Sequence, residues 1–405
     1  MGEKQQETAT APVLRFKGFT EPWRQRKLGD TAEIVRGASP RPIQNPKWFD
    51  DKSDIGWLRI ADVTEQNGRI HYLKQHLSTL GQEKTRVLLT PHLLLSIAAT
   101  VGEPLINYIK TGVHDGFLIF LTPTFNINFM YYWLIYFKPF WKRYGQPGSQ
   151  INLNSDLVKA KIVSLPDLDE QKKIGEFFNH IDHLITFHQH KCEKLQEIKK
   201  GLLQKMFPAE GSDVPEIRFT GFTDTWEQRK LIEVAKYRNG KAHEKEIDEE
   251  GKYIVVNSKF ISSNGQIKKY CGSLIAPLLK SEIAFVLSDV PNGRALAKTF
   301  LVDKDNTYSL NQRIAGVTPI KNIDSIFLSL TMNRNEYFLR FDSRVGQTNL
   351  DKESVENFKA NYPSYKEQQC IGQLFFHLDN LITLHQRKVE KLKELKKGLL
   401  QQLFI

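Results

Sequence analysis

Two stretches of about 38 residues leave this chain little freedom in how it folds. "EQKKIGEFFNHIDHLITFHQHKCEKLQEIKKGLLQKMF" begins at Glu170 and "EQQCIGQLFFHLDNLITLHQRKVEKLKELKKGLLQQLF" at Glu367, with about two thirds of the positions identical. Steps of four and three residues run through the first copy at Ile174, Phe178, Ile181, Ile185, His188, Cys192, Leu195, Lys199, Leu202 and Met206. In the second copy they fall at Ile371, Phe375, Leu378, Ile382, His385, Val389, Leu392, Lys396, Leu399 and Leu403. An a/d heptad sustained over about five heptads predicts a coiled-coil seam. Each helix would be about 57 Å long at 1.5 Å per residue. Neither can bury its seam alone, so the simplest solution is that the two bury each other, antiparallel. The alternative is a pair of ordinary core helices. His188 with His385, and Lys199 with Lys396, occupy seam positions in both copies. A polar group there fixes register at some cost in stability, a role preferred here over chemistry.

The repeat extends beyond the helices. "RFKGFTEPWRQRKL" from Arg15 matches "RFTGFTDTWEQRKL" from Arg218, and the helix register runs back through Pro166 and Pro363 to "QINL" at Gln150 and "QTNL" at Gln347. This period far exceeds the 20–50 residues of solenoid repeats and predicts a duplicated unit, globular domain then helix. Residues 29–149 and 232–346 do not resemble each other. Both carry short β-branched and aromatic runs broken by Gly, Pro, Asn and Asp, which predict mainly strands, and "FMYYWLIYFKPFWKRY" predicts a helix in the first. The expected layout is a disordered tail over 1–13, a globular domain over 14–165, a helix over 166–207, a linker over 208–216, a second globular domain over 217–362 and a second helix over 363–405. The fold class is α+β with an internal pseudo-two-fold duplication: one scaffold, two different heads.

Catalytic chemistry is sparsely signalled. "PDLDEQK" from Pro166 imitates a nuclease constellation, but its copy "PSYKEQQ" loses the Asp and the Lys. Of the histidines in "HIDHLITFHQH", the second copy replaces two by Asn380 and Arg387, which argues against a structural metal site needing every ligand. No GxxxxGK[ST] loop is present. "NPKWF" from Asn45 lacks the second proline and the glycine-rich companion loop of an adenine methyltransferase. Asp115 beside His114 has no evident serine or cysteine partner. The expectation is a chain without catalytic residues, metal or cofactor. Three scattered cysteines, a polar start and no apolar run long enough to span a bilayer point to the cytoplasm and away from a membrane.

Nucleic acid is the favoured partner. The formal charge is +11, and an excess of this sign favours a polyanion. Cations stand beside amides and aromatics in both variable segments: Arg36, Arg41 and Lys47 in "RGASPRPIQNPKWF", Arg59 in "WLRIADV", Lys142 and Arg143 in "FWKRYGQPGSQ". Arg238 and Lys259 follow in the second segment, with Asn292 and Arg294 in "DVPNGRAL" and Gln312 and Arg313 in "LNQRIAG". Arg and Lys clamp phosphates or read guanine, and Asn and Gln read adenine.

The "W.QRKL" openings, the "GSQINL…P…EQ.KIG" and "GQTNL…P…EQ..IG" joints and the paired helices together resemble the specificity subunits of type I restriction-modification systems. The resemblance runs from about Leu14 to Ile405. It implies two target-recognition domains that each read half of a bipartite double-stranded DNA site, and a coiled coil that sets the gap. It implies as partners two modification subunits, which bind S-adenosylmethionine and methylate adenine. Restriction subunits that use ATP and Mg²⁺ would join them. The family's recognition loops map onto Ser96–Gly102 with Gly112–Phe117, adding Thr100 and His114 to the DNA-binding candidates, and onto Ser288–Arg294 with Asn311–Arg313. Two other readings stay open: a coiled-coil scaffold with protein-binding heads, distinguished by the salt dependence of DNA affinity, and a standalone nuclease or methyltransferase with a disguised motif.

Overall fold

The computed structural model describes residues 11–98, 100–144, 153–209, 211–290, 293–342 and 346–405, and the side chains of 142–144 lie outside that description. The chain divides into two compact units, Met1–Gln189 with Arg387–Ile405, and His190–Gln386. The first is assembled from two stretches of chain and the second is a single stretch, and neither coincides with one globular domain and the whole of its own helix. Each takes in the start of its own long helix and the end of the other.

The long helices span Leu168–Lys205 and Tyr365–Leu403. In the first unit Ile174, Phe178, Ile181 and Ile185 share a core with Leu400, Leu403 and Phe404, and Val389, Leu392 and Leu399 pack against it. In the second unit Ile371, Phe375 and Leu378 share a core with Met206, with Leu195 and Leu202 against it. Of the remaining seam positions, Cys192 and Ile382 are buried, and His188 and His385 are half-buried. The seam lysines carry ion pairs. Lys396 donates to Asp182 at 2.6 Å in the first unit, and Lys199 donates to Asp379 at 2.6 Å in the second. Asp182 and Asp379 are equivalent in the repeat, as are Lys199 and Lys396, so one polar device serves both copies.

The "EQ" at each helix start is fully packed. Glu170 and Glu367 have no exposed surface, a position that costs several kcal/mol for an unpaired charge. Each is met by a forked arginine. Arg15 donates from Nε and Nη2 to Glu170 at 2.8 and 2.7 Å, and Arg218 to Glu367 at 2.7 and 2.8 Å. These hydrogen bonds raise both guanidinium pKa values above normal. The adjoining glutamines tie the helix start to the head. Gln171 donates to the Pro166 carbonyl at 2.8 Å and accepts from the Asn126 amide at 2.9 Å; Gln368 does the same with Pro363 and Asp324. Asn126 and Asp324 each cap a helix of the head, Ile127–Phe137 and Ser325–Met332. After Phe137 the first of these continues as a 3₁₀ turn through Pro139, a residue that cannot extend an α-helix interior.

The "W.QRKL" opening forms the base of each head. Arg24–Lys27 pairs antiparallel with Ile162–Leu165, and Glu227–Lys230 with Lys359–Tyr362, while Trp23 and Trp226 are buried. Just ahead, the Leu14 amide bonds the Gln402 carbonyl at 2.9 Å, and the Ile217 amide bonds the Lys205 carbonyl at 2.8 Å. Head 1 holds a five-stranded sheet in the order Glu33–Arg36, Phe117–Leu121, Leu93–Ser96, Pro104–Asn107, Arg69–Ile70, beside a three-stranded sheet centred on Thr111–Val113. Head 2 repeats the layout with Ala235–Asn239, Ile314–Pro319, Ile283–Val286 and Thr299–Leu301. The parallel pair Gly56–Leu58 with Thr111–Val113 corresponds to Tyr253–Val256 with Tyr308–Leu310. The third strand differs: Arg86–Leu88 joins Thr111–Val113, whereas Tyr270–Cys271 joins Tyr253–Val256. No helix among the described residues is long and apolar enough to cross a membrane.

Replacing Arg15 by alanine strands the buried Glu170 carboxylate and is expected to cost about 3–5 kcal/mol. Hydrogen exchange should quicken in the first unit and stay slow in the second, and R218A should do the converse.

Candidate nucleic-acid interface

The loops expected to carry recognition rise from the same strand ends in both heads. In head 1 the chain leaves the sheets at Arg36, Leu58, Ser96 and Val113 and re-enters at Phe117. In head 2 the matching points are Asn239, Val256, Val286, Leu310 and Ile314. A glycine allows the backbones to cross here. A Cβ on Gly37 would stand 2.2 Å from the His114 carbonyl oxygen, and one on Gly240 would stand 2.0 Å from that of Asn311. The Gly37 amide bonds the Phe117 carbonyl at 2.9 Å, and the Gly240 amide bonds that of Ile314 at 3.0 Å. The paired loops also meet: the Ile97 amide reaches the Gly116 carbonyl at 2.9 Å, and the Leu287 amide that of Arg313 at 3.1 Å.

In head 1 these contacts converge on Asp115. Its Oδ1 accepts from Ser39 Oγ at 2.9 Å, its Oδ2 from Arg41 Nη2 at 2.7 Å and its carbonyl from Arg36 Nε at 2.6 Å. Burial raises its pKa, but Ser39, His114, Arg41 and Arg36 outweigh this and leave it below the usual carboxylate range. His114 is shifted down, chiefly by burial and then by Arg41 and Arg36 against the pull of Asp115. The neutral ring accepts the Gly116 amide at Nδ1, 2.9 Å away. The 3.1 Å approach of the same nitrogen to Asp115 is therefore not an ion pair at neutral pH. Nε2–H remains as the ring's donor.

The other sequence candidates are placed unevenly. Arg59 caps the Ile60–Glu65 helix, contacts Asp62 at 3.3 Å and lines a cleft of about 600 Å³ with Ile43, Gln44, Phe49, Trp57 and Gln75. Lys47 is exposed, its ammonium 4.2 Å above the Trp48 ring. Thr100 is exposed, two residues ahead of Gly102, whose amide bonds the Ser96 carbonyl at 2.8 Å. In head 2, Arg294 and Arg313 are exposed, and Gln312 donates to Glu244 at 2.7 Å. Lys259 is exposed on the Ser258–Ser262 helix, at a strand-to-helix junction matching that of Arg59. Arg238 is instead engaged within the head: its guanidinium bonds buried Glu282 at 2.7 and 2.9 Å and the Pro277 carbonyl at 2.6 Å. The side chains of Lys142 and Arg143, and the whole of Asn292, lie outside the described residues. Sequence reasoning did not give Asp289 a role. Its carboxylate accepts the amides of Val290, Ala295 and Leu296 and so shapes the loop that carries Arg294. An aspartate two residues ahead of the sequence Pro-Asn-Gly is the signal that marks it.

Residues 20–199 and 223–394 match the family model of the type I restriction modification DNA specificity domain. With most of its length matched, the chain belongs to that family, whose members choose the target and leave the chemistry to other subunits. It is similar to the type I restriction enzyme MjaVIII specificity subunit of Methanocaldococcus jannaschii, 24% identical over 95% of this chain and 92% of the relative. Its fold matches the S subunit of a type I restriction-modification system from M. genitalium, with a TM-score of 0.67 at 13% identity over 98% of this chain and 99% of that one. A further match, at TM-score 0.52 and 14% identity over 94% and 97%, is a chain from work on complex assembly and conformational transition of the type I R-M system.

Because His114 is held neutral when folded, the unfolded chain binds the extra proton as pH falls below about 6.5, and stability should drop there. H114Q is expected to flatten that part of the profile, measured as denaturation midpoint against pH.

Proposed function

We propose that each head reads one half of a bipartite DNA site and that the long helices set the gap between the halves. In this reading the constant helices and joints dock two modification subunits, which bring S-adenosylmethionine and methylate adenine. ATP- and Mg²⁺-dependent restriction subunits complete the assembly. The observation that carries the reading is the repetition of one loop platform at the same strand ends of two heads whose sequences do not match. A common platform with different side chains is what two half-sites of different sequence require, since phosphate contacts position and base contacts specify. The docking role is supported by apolar side chains left exposed at equivalent positions of both helices: Ile198 with Leu395, and Phe187 with Leu384. The protein-binding scaffold is the weaker account, since basic and amide residues gather at the loop ends.

Co-expression with the modification subunit in a methylation-free host should yield N6-methyladenine at a single split motif with a constant gap. Exchanging residues 14–165 for another head should change one half of it only. Absence of methylation from an assembled complex would defeat the proposal. I198D and L395D should weaken assembly with the modification subunit while leaving the melting temperature of the chain within about a degree, because surface substitutions change stability by about 0.5 kcal/mol or less.

A further inference from the structure

We infer that head 1 reads a guanine through Arg41, with Asp115 as the positioning residue that holds the arginine ready; this rests on head 1 being a DNA-recognition domain. An arginine on a surface loop ordinarily samples many rotamers, and fixing it costs free energy at the moment of binding. Arg41 is already tethered by its 2.7 Å bond to Asp115, with 70% of its side chain exposed above a carboxylate that is only 25% exposed. The tether is itself rigid. Ser39 Oγ accepts the Asp115 amide at 3.1 Å and donates to Asp115 Oδ1 at 2.9 Å, so the loop carrying Arg41 and the turn carrying Asp115 are locked together. The bond to Asp115 uses one of the five N–H donors of a guanidinium, and the others can span O6 and N7 of guanine.

The same carboxylate decides between base and phosphate. An aspartate 2.7 Å from Arg41 offsets one of the two guanidinium charges, Arg41 and Arg36, gathered at this turn, which weakens the pull on a phosphate and favours a neutral, acceptor-rich base edge. Adenine presents a donor where guanine presents O6, so the fork rejects it. Among the described residues, head 2 has no counterpart. The position matching Asp115 is Gln312, bonded to Glu244, so the effect belongs to one half-site.

The test uses the complex of this chain with its modification subunit. The methylated motif is mapped first, and duplexes carrying every base pair at each position are then titrated over a salt series. One half should contain a G·C pair at which R41A lowers discrimination about 10- to 100-fold. R41K should keep the slope of affinity against salt yet fail to restore discrimination, because an ammonium cannot bridge two acceptors. D115N should lose part of the same discrimination and leave the other half read normally, which also shows that the complex is folded. If R41A weakens all sequences alike and R41K repairs it, Arg41 contacts phosphate and the inference is wrong. Wild-type discrimination in D115N would remove the positioning role. An assembled wild-type complex that methylates no split motif would instead overturn the DNA-reading assignment itself.

Discussion

Everything in this protein depends on an apolar stripe that neither long helix can bury alone. The core of the first unit is completed by Leu400, Leu403 and Phe404, which belong to the second repeat, and that of the second unit by Leu195, Leu202 and Met206, which belong to the first. Burial of such side chains is worth about 1.5–3 kcal/mol each, so each core leans on residues supplied by the other copy. The lysine–aspartate pairs add direction to this otherwise unspecific attraction. Asp182 also accepts the Tyr132 hydroxyl at 2.7 Å, so in the first unit the seam is wired into the head, whereas the equivalent Asp379 receives Lys199.

The second requirement is a rigid handover from helix to head. Burying Glu170 and Glu367 would be prohibitive without the forked arginines, and removing the carboxylates would strand the arginines in turn. Around them, Gln171 and Gln368 join the helix start to the cap of the neighbouring head helix. A loop mounted on such a joint inherits a defined position, as reading a base edge demands.

Much of the scaffold was legible because it is periodic or repeated. A heptad reports its own buried face, and an internal copy screens out accidental motifs, as it did for "PDLDEQK". The identical "EQ" pairs were legible as helix starts but not as buried anchors, because their partners Arg15 and Arg218 lie about 150 residues away in sequence. Within the heads, strands were readable as strands, yet the likeness of the two heads was not. Backbone ladders are indifferent to side-chain identity, and only Gly37 and Gly240 betray the shared crossing. For the candidate interface, the sequence offered side chains but not what holds them. Arg238 looks as available as Arg41 until Glu282, 44 residues away, is seen to hold it, and the converging role of Asp115 emerges only once the turn it occupies meets Ser39.

The strand pair at the base of each head has a genetic consequence. Arg24–Lys27 and Ile162–Leu165 lie side by side, so the variable chain leaves and rejoins the scaffold through one doorway framed on both sides by repeated sequence. Crossovers within those flanking repeats would exchange a complete head in register, leaving the Arg15–Glu170 anchor and the helical residues of the seam in place. Recombination between related genes, or between the two halves of one gene, could therefore install a new half-specificity in a single event, where point mutation would have to rebuild several coupled contacts at once.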